Sequence, residues 1–404
     1  MLTCSAYKGT LVSVKVRYTF RCYPTPRQER ALGQVFGCVR YVYNRALRLR
    51  TDSYSEDKTR INYEATSAAL TKWKAEAECQ WLNEVSSVPL QQCLRHLQMA
   101  FRSFFEKRAA YPRFKSKRGP QSAEFTRSAF KWDEGDRNLT LAKLGHLRIR
   151  WSRPFRSEPS TVTITKDCAG RYFVSLCLEE KVERIPKTGQ SVGIDLGINR
   201  LATLSTGERI ANPKHLGQRL DRIARAQRVL ARRVKGSGRW RRQRLAVARL
   251  QARIADCRKD HLQKVTTDLV RRFDILCIED LGVRGMMANH CLARSIADVG
   301  MYAFRAMLEY KCAWHGRDLR SVDRFFPSSK RCSGCGFVAE KLPLDVRSWT
   351  CPECSLSHDR DENAAKNILA AGHAASARGG RVRPVATKVA KGSARRNVNQ
   401  PALS

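Results

Sequence analysis

Three acidic residues lie in apolar surroundings, where an unpaired charge is costly. Asp195 lies within the run Val192-Gly-Ile-Asp-Leu-Gly197, Glu279 ends the run Ile275-Leu-Cys-Ile-Glu279, and Asp361 lies near the start of a predicted helix. Burying an isolated carboxylate is expensive unless a cation or hydrogen bonds compensate it. Carboxylates are good magnesium ligands, and two magnesium ions about 3.5–4 Å apart stabilise the attacking and leaving oxygens of a phosphodiester. The three acids therefore indicate a two-metal nuclease site.

Each acid also has an ordinary explanation. Asp195 can be a turn residue at a strand end, Glu279 can pair with an arginine, and Asp361 can cap a helix. Asp280 and Asp359 are alternative candidates for the metal ligands. We interpret Asp280 as turned outward and Asp359 as the helix N-cap, with an acid three residues later that completes a capping box.

Four cysteines form a metal-ligand pattern. Two Cys-x2-Cys pairs are separated by 15 residues, and their members are Cys332, Cys335, Cys351 and Cys354. Two tight turns that each present two thiolates can close a tetrahedron around zinc, with Zn–S bonds of about 2.3 Å and no open position. A redox dithiol fits either pair alone but fits both poorly. The pattern predicts a structural zinc site.

Composition narrows the class of partner. The chain has 404 residues, with 76 Lys plus Arg against 37 Asp plus Glu, a formal net charge of +39. Self-repulsion at this level destabilises the free compact state, so a polyanionic partner is expected. No run approaches about 18 consecutive apolar residues, and residues 1–10 lack a hydrophobic signal core, so we expect neither a membrane partner nor secretion. The 15 cysteines suit reduced thiols and a metal site better than a disulfide framework.

Hydrophobic periodicity predicts the elements that hold these residues. Strict alternation over residues 12–22 indicates a half-buried strand, which we expect to join later strands in a barrel. Helical spacing runs from about Gln28 to residue 110. The other predicted elements are strands near 139–141, 147–151, 162–164 and 172–178, a linker over 181–190, strands over 191–197, 201–204, 273–280 and 319–322, and a helix over Met301–His315.

Basic segments are candidates for nucleic-acid contacts. Residues 218–260 read as two helices broken at Gly236-Ser-Gly238, with 15 Lys or Arg between Arg219 and Lys259 against two acids. The candidate contact residues at this bend and in an earlier basic loop are Arg232, Arg233, Lys235, Lys115, Lys117 and Arg118. Solvated basic faces are the alternative. Four aromatics that could stack on bases we instead assign to the core, because they follow helical spacing: Tyr41, Tyr43, Phe101 and Phe104.

Several segments together resemble the TnpB family, which bacterial insertion sequences encode. They occur in family order from about residue 12 to 370: Tyr23-Pro-Thr-Pro26, Tyr111-Pro-Arg-Phe-Lys-Ser-Lys117, Val192-Gly-Ile-Asp-Leu-Gly197, Ile278-Glu-Asp-Leu281, Phe326-Pro-Ser-Ser-Lys-Arg-Cys-Ser-Gly-Cys335, Trp349-Thr-Cys-Pro-Glu-Cys354 and His358-Asp-Arg-Asp-Glu-Asn-Ala-Ala-Lys-Asn367. The family is related to compact type V CRISPR effectors.

The resemblance implies a multidomain α+β fold. We expect a wedge β-barrel that carries a helical recognition insertion, then a RuvC-like nuclease domain of RNase H fold with an inserted zinc ribbon. The expected boundaries are 1–26 with 137–185 for the barrel, 27–136 for the insertion, 186–331 with 355–372 for the nuclease, 332–354 for the ribbon, and 373–404 for a disordered basic tail.

The resemblance also implies an activity. It makes Asp195, Glu279 and Asp361 the catalytic acids of a magnesium-dependent, RNA-guided DNA endonuclease. The implied partners are a guide RNA and target double-stranded DNA, with one protein per guide and a ribonucleoprotein on the bacterial nucleoid in the cytoplasm. The alternatives are an RNA-guided repressor that does not cut, a compact CRISPR effector, and an unguided zinc-ribbon protein or transposase.

Overall fold

The chain folds into two compact units. The computed structural model describes residues 11–377 except Asp136, Arg156 and Leu344. Of the described residues, the first unit contains 13–180 and 229–249, and the second contains 11–12, 181–228 and 250–377. Among the helices described here, none combines the length and apolar character needed to cross a membrane.

Strands and three helices build most of the first unit. The strands are β1 (Leu11–Cys22), β2 (Gln121–Thr126), β3 (Phe130–Asp133), β4 (Asn138–Leu141), β5 (Gly145–His146), β6 (Ile149–Arg150), β7 (Thr161–Lys166) and β8 (Tyr172–Glu183). They pair in two sheets, β2-β7-β8-β1-β6 and β3-β4-β5. The strands predicted near 162–164 and 172–178 form the antiparallel pair β7–β8, and the first strand joins them in one sheet.

The helices lie between β1 and β2 in the chain and are α1 (Pro26–Asp57), α2 (Tyr63–Ala75) and α3 (Ser87–Phe105). Helix α1 begins two residues before the predicted Gln28 because Thr25 caps it in a capping box and Pro26 suits the first helical position. Of the four aromatics assigned to the core, Tyr43 and Phe101 are buried as expected, whereas Tyr41 and Phe104 are only half-buried. Phe105, the last residue of α3, is 64% exposed.

The second unit contains a mixed five-stranded sheet, a two-stranded sheet and helices. The strands of the larger sheet are β9 (Ser191–Leu196), β10 (Arg200–Leu204), β11 (Arg209–Ala211), β12 (Ile275–Glu279) and β13 (Asp318–Val322), and those of the smaller sheet are β14 (Ser348–Thr350) and β15 (Ser357–Asp359). The helices that lie wholly or partly in this unit are α4 (Leu220–Ala231), α5 (Gly238–Arg272), α6 (Val283–Met286), α7 (His290–Val299), α8 (Met301–His315) and α9 (Arg360–Ala377). The sheet order is β11-β10-β9-β12-β13; β9 runs antiparallel to β10 and parallel to β12.

The expected helical insertion, 27–136, extends too far along the chain. It contains β2 and β3, and β2 pairs with β7 in the sheet that holds β1.

Three further boundaries differ from the expected ones. The second basic helix continues to Arg272, twelve residues past the predicted segment. Residues 229–249 belong to the first unit, where Leu245 lies against Gly170 in the β7–β8 turn, although they fall inside the expected nuclease range. Helix α9 continues past residue 372 to Ala377, because alanine is a strong helix former. The rest of the expected tail, 378–404, lies outside the described residues.

Helix α9 packs on the sheet with almost no space between them. A Cβ atom added to Gly193 on β9 would lie 2.0 Å from the Ala365 carbonyl oxygen and 2.8 Å from the Leu369 nitrogen. A Cβ added to Gly372 would lie 2.3 Å from the Cys277 Sγ on β12. The two glycines therefore let the helix lie directly over the two central strands.

Gly193→Ala is expected to destabilise the second unit by about 3 kcal/mol, because the methyl group overlaps backbone that cannot yield without moving α9. Thermal unfolding measures the loss. Gly33→Ala is the matched control: Gly33 lies inside α1 with open space at its Cβ, so alanine should stabilise by up to about 1 kcal/mol. Equal melting temperatures for both variants would contradict the close packing.

Candidate active site and four-cysteine centre

The sheet places two of the three predicted acids side by side. Ile194 on β9 is the parallel partner of Ile278 on β12, so the next residue on each strand, Asp195 and Glu279, are neighbours. Side chains alternate along a strand, so Asp195 shares the face of Gly193. Glu279 shares the face of Cys277 for the same reason. Both acids therefore face α9.

Helix α9 brings the third acid to the same end of the sheet. Asp361 precedes Ala365 by four residues, about one turn, and Ala365 is the residue against which Gly193 packs. Asp359 caps the helix, since its Oδ1 accepts hydrogen bonds from the backbone nitrogens of Asp361 (3.1 Å) and Glu362 (3.0 Å). The amino end of α9 thus lies at the carboxyl ends of β9 and β12.

The electrostatics link the three acids. Burial, reinforced by the negative charges of Glu279 and Asp361, raises the pKa of Asp195 to about 7. Burial also raises the pKa of Glu279, although a hydrogen bond from Ser328 opposes the shift. Mutual repulsion of this kind is what a bound divalent cation relieves. These acids are hard oxygen donors and therefore fit magnesium.

The spacing of the carboxylates bears on how many ions they can hold. In the described part of the chain, the four cysteines form the one group of three or more candidate ligands whose donor atoms all lie within 4.8 Å of one another. Among the described residues, the three acids do not form a second group of this kind. Two ions about 3.5–4 Å apart, each about 2.1 Å from its ligands, leave room for oxygens up to about 8 Å apart.

The two rival acids have other partners. Asp280 accepts hydrogen bonds from Arg305 and Arg324; burial opposes its ionisation, but the two guanidinium groups outweigh it and lower the pKa of Asp280. Asp359 caps α9 and also pairs with Arg209 at 2.8 Å. These positions agree with our interpretation of Asp280 as turned away and Asp359 as the cap.

Metal-free Asp195→Asn protein is expected to be more stable than wild type above pH 7. The folded-state pKa of Asp195 is raised from 3.8 to about 7, so its contribution to stability is fully present below pH 3.8 and is lost as the pH rises through about 7. Asparagine does not ionise and avoids that loss. Discounting the shift for partial exposure, we expect a gap of about 2 kcal/mol at pH 8 that disappears near pH 4.

Chemical unfolding in magnesium-free buffer that leaves zinc bound measures this gap. Asp280→Asn is the control of opposite sign, because the pKa of Asp280 is lowered and its loss should not stabilise the protein at pH 8. A gap for Asp195→Asn that stays the same from pH 4 to pH 8 would contradict the assignment.

The four predicted zinc ligands come together. The Sγ atoms of Cys332 and Cys354 are 3.6 Å apart, as are those of Cys335 and Cys351. A tetrahedron of Zn–S bonds has S···S edges of about 3.8 Å, so the set fits zinc. Burial disfavours the Cys332 thiolate, but hydrogen bonds from the backbone nitrogens of Cys335 and Gly334 and from His358 lower the pKa of Cys332 to about 5.

Four residues around these sites had no role in the sequence predictions. Ser328 donates a hydrogen bond to Glu279, and the Nε2 of His358 lies 3.0 Å from the Cys332 Sγ. Asn363 and Asn367 are almost fully buried on α9. The sequence signal for Asn363 and Asn367 was their spacing of four residues in a predicted helix. Asparagine is a poor helix former and needs hydrogen-bond partners when it is buried.

The predicted nucleic-acid contacts lie in two places in the first unit. Lys117 and Arg118 are exposed in the loop after α3, and the Lys115 Nζ lies 4.1 Å from the centre of the Tyr43 ring. Arg232 and Lys235 are exposed in the turn between α4 and α5. The sixth, Arg233 in the same turn, is half-buried.

Comparison with known proteins decides the family. The family model described as "Probable transposase", OrfB of IS605, matches residues 175–290, and the model "Cas12f1-like, TNB domain" matches residues 302–368. A Streptomyces pristinaespiralis protein named "Putative RNA-guided DNA endonuclease" is 54% identical over 375 residues, 92% of each chain. The chain belongs to the TnpB family. A second TnpB-family relative is InsQ of Escherichia coli K12, with the same description and 35% identity over 90% of this chain and 93% of its own.

Two further comparisons concern the fold of this TnpB-family chain. The protein in "Cryo-EM structure of the Cas12f1-sgRNA-target DNA complex" matches with a TM-score of 0.54 at 12% identity, covering 88% of this chain and 99% of that one. The chain therefore has a Cas12f-like fold of mixed α and β structure. A "Helix-turn-helix domain" model matches residues 14–59, but these form the strand β1 and the single long helix α1.

Proposed function

We propose that this protein is an RNA-guided DNA endonuclease, and that Asp195, Glu279 and Asp361 form the active site that hydrolyses phosphodiester bonds. The observation that carries the proposal is the position of α9, whose first turn lies at the ends of the two strands that bear the other acids. Burial there, reinforced by the charges of Glu279 and Asp361, raises the pKa of Asp195 to about 7. The printed names of the 54% and 35% identical relatives support the same activity.

The three acids would hold divalent magnesium, which supplies a nucleophilic water and stabilises charge on both reacting oxygens. Asp195 is half-buried, and burial together with the charges of Glu279 and Asp361 raises its pKa to about 7, so a bound cation would favour its ionised form. Ser328 donates to one oxygen of Glu279 and leaves the other oxygen available as a ligand. Arg347, 3.7 Å from Asp361, adds positive charge at the edge of the site.

We further propose the finer architecture that the resemblance implies. The sheet with β1 is the wedge barrel, helices α1 to α3 are the recognition insertion, and the sheet with β9 and β12 is the RuvC-like nuclease core. The four-cysteine group is the zinc ribbon inserted into that core. The mixed sheet order β11-β10-β9-β12-β13 supports the nuclease assignment.

The partners in this proposal are a guide RNA from the element's own end and a double-stranded DNA target, with one protein per guide on the bacterial nucleoid. A guide–target duplex is read through its backbone, which calls for cationic surfaces rather than base-specific side chains. The net charge of +39 supports this role.

Replacing Arg232, Arg233 and Lys235 with alanine is expected to weaken RNA or DNA binding at physiological salt. The dependence of log Kd on log salt should fall by about 0.9 for each phosphate that the variant no longer neutralises. Filter binding at several salt concentrations measures both quantities. A charge-conserving variant, with lysine at 232 and 233 and arginine at 235, is the matched control and should retain the slope. An unchanged slope in the alanine variant would remove these residues from the interface.

The experiment that tests the function uses the ribonucleoprotein purified with its own RNA. The RNA is sequenced, and DNA that matches its variable end is incubated with the particle and magnesium, beside unmatched DNA and an RNase-treated particle. We expect cleavage of the matched DNA by the intact particle alone. Site-specific cutting that survives RNase would favour an unguided transposase, and guided binding without cutting would favour a repressor.

A further inference from the structure

The segment that leads from β13 into the four-cysteine site is held against α9 by two buried asparagines. The Nδ2 of Asn363 donates to the Arg331 carbonyl oxygen at 2.7 Å, and the Ser333 backbone nitrogen donates to the Asn363 Oδ1 at 2.9 Å. Both halves of one amide therefore bind the same short segment. Because the Asn363 amide both donates and accepts, it fixes the orientation of residues 331–333 as well as their distance from α9.

The second asparagine extends the contact by one helical turn. The Asn367 Nδ2 donates to the Ser328 carbonyl oxygen at 2.8 Å and to the Arg331 carbonyl oxygen at 2.6 Å. Asn363 is 2% exposed and Asn367 is 3% exposed. A buried amide is costly unless it is hydrogen-bonded, and asparagine is unfavourable inside a helix. Replacing either partner therefore leaves polar groups unsatisfied.

The same segment connects two sites. At one end the Ser328 hydroxyl donates to the carboxylate of Glu279. At the other end lies Cys332, a member of the four-cysteine group, with the His358 Nε2 3.0 Å from its sulfur. The helix that carries both asparagines also carries Asp361, two residues before Asn363.

We propose that Ser328, Asn363 and Asn367, named here the clasp, are positioning residues that set Glu279 relative to Asp361 and make the carboxylate site depend on closure of the four-cysteine site. The chain of contacts runs from Cys332 through the backbone of residues 328–333 to α9, and through Ser328 to β12. When the four cysteines separate, residues 328–333 are no longer held in place. Glu279 and Asp361 then lose the contacts that fix their relative position. The metal-binding role of Glu279 and Asp361 rests on the proposed function. The hydrogen bonds by which the clasp positions them do not.

The first test measures manganese affinity by electron paramagnetic resonance on the full ribonucleoprotein with zinc bound. Ser328→Ala and Asn363→Ala are expected to weaken binding at the carboxylate site about 10-fold or more, as loss of such outer hydrogen bonds typically does. Ser328→Thr keeps the hydroxyl and should rescue the affinity. Lys366→Ala, on the exposed face of α9, is the matched control and should bind like wild type.

A purely structural role gives a different pattern. It would lower the melting temperature of Asn363→Ala and leave the manganese affinity of both variants equal to that of wild type, which would overturn the proposal. Cleavage at limiting magnesium should fall in Ser328→Ala and recover at high magnesium. If Asn363→Ala does not fold, the Ser328→Ala and Ser328→Thr pair decides alone.

A second test separates failure of the clasp from failure of the proposed function. Hydrogen exchange is followed across the full chain before and after a chelator removes zinc. The clasp predicts that residues 326–333 and 360–367 lose protection together. Loss confined to residues 332–358 overturns it. If wild-type protein binds no manganese, the proposed function fails, and this exchange pattern still decides the clasp.

Discussion

Asp195→Asn is expected to lower the rate of guided DNA cleavage by about three orders of magnitude or more, because metal ions held by such acids supply several kcal/mol of transition-state stabilisation. Burial raises the pKa of Asp195, and the charges of both Glu279 and Asp361 add to the shift, so Asp195 interacts with both of the other acids. The substitution is nearly isosteric and removes a repulsive charge, so folding and DNA binding should survive. Cleavage and binding are measured on the same particle.

The matched control is Asp280→Asn. Asp280 follows Glu279 directly in the sequence, yet its carboxylate pairs with Arg305 and Arg324. Its loss should leave cleavage within about threefold of wild type, the range expected for an exposed ion pair. Equal losses of activity in Asp195→Asn and Asp280→Asn would show that cleavage is sensitive to any substitution at this end of the sheet. That result would contradict the assignment of Asp195 as a catalytic acid.

The second large effect is expected from Cys351→Ser. Cys351 is buried in the four-cysteine group, so serine removes one of four thiolates and bound zinc should fall from one ion per chain to near none. Structural zinc sites contribute about 10–16 kcal/mol to the folding of small zinc domains, which exceeds what this short segment can otherwise gain. Zinc content by mass spectrometry and limited proteolysis of residues 332–354 measure the result.

Cys291→Ser provides the comparison, because Cys291 is exposed and lies outside the four-cysteine group. That variant should keep its zinc and resist protease like wild type. Full zinc occupancy in Cys351→Ser would contradict a four-thiolate site. It would point to the neighbouring imidazole of His358 as a substitute ligand.

Much of this site was predictable because its signals are local. An acid inside a short apolar strand, as at Asp195, and a spaced pair of Cys-x2-Cys turns each constrain their own surroundings. The cap at Asp359 was equally local, and the structure confirms it through two backbone hydrogen bonds. The family likeness and the four-cysteine cluster follow from such segments, and both are confirmed.

The remaining features depend on long-range packing that no local pattern encodes. Gly193 gives no sign in the sequence that α9, about 170 positions later, will lie on it. The burial of Asn363 and Asn367 follows from the same packing, because only a helix pressed onto the sheet can reach the segment of Ser328. Phe104 shows the opposite limit: its helical spacing predicted a core residue, but it lies in the last turn of α3 and is only half-buried.

Anomalous diffraction from crystals of the ribonucleoprotein soaked in manganese tests the shared metal site most directly. We expect two manganese peaks about 3.5–4 Å apart. Between them, these ions should contact carboxylate oxygens of Asp195, Glu279 and Asp361. Manganese bound elsewhere, or bound while any one of the three carboxylates stays out of reach, would contradict a site that all three acids share.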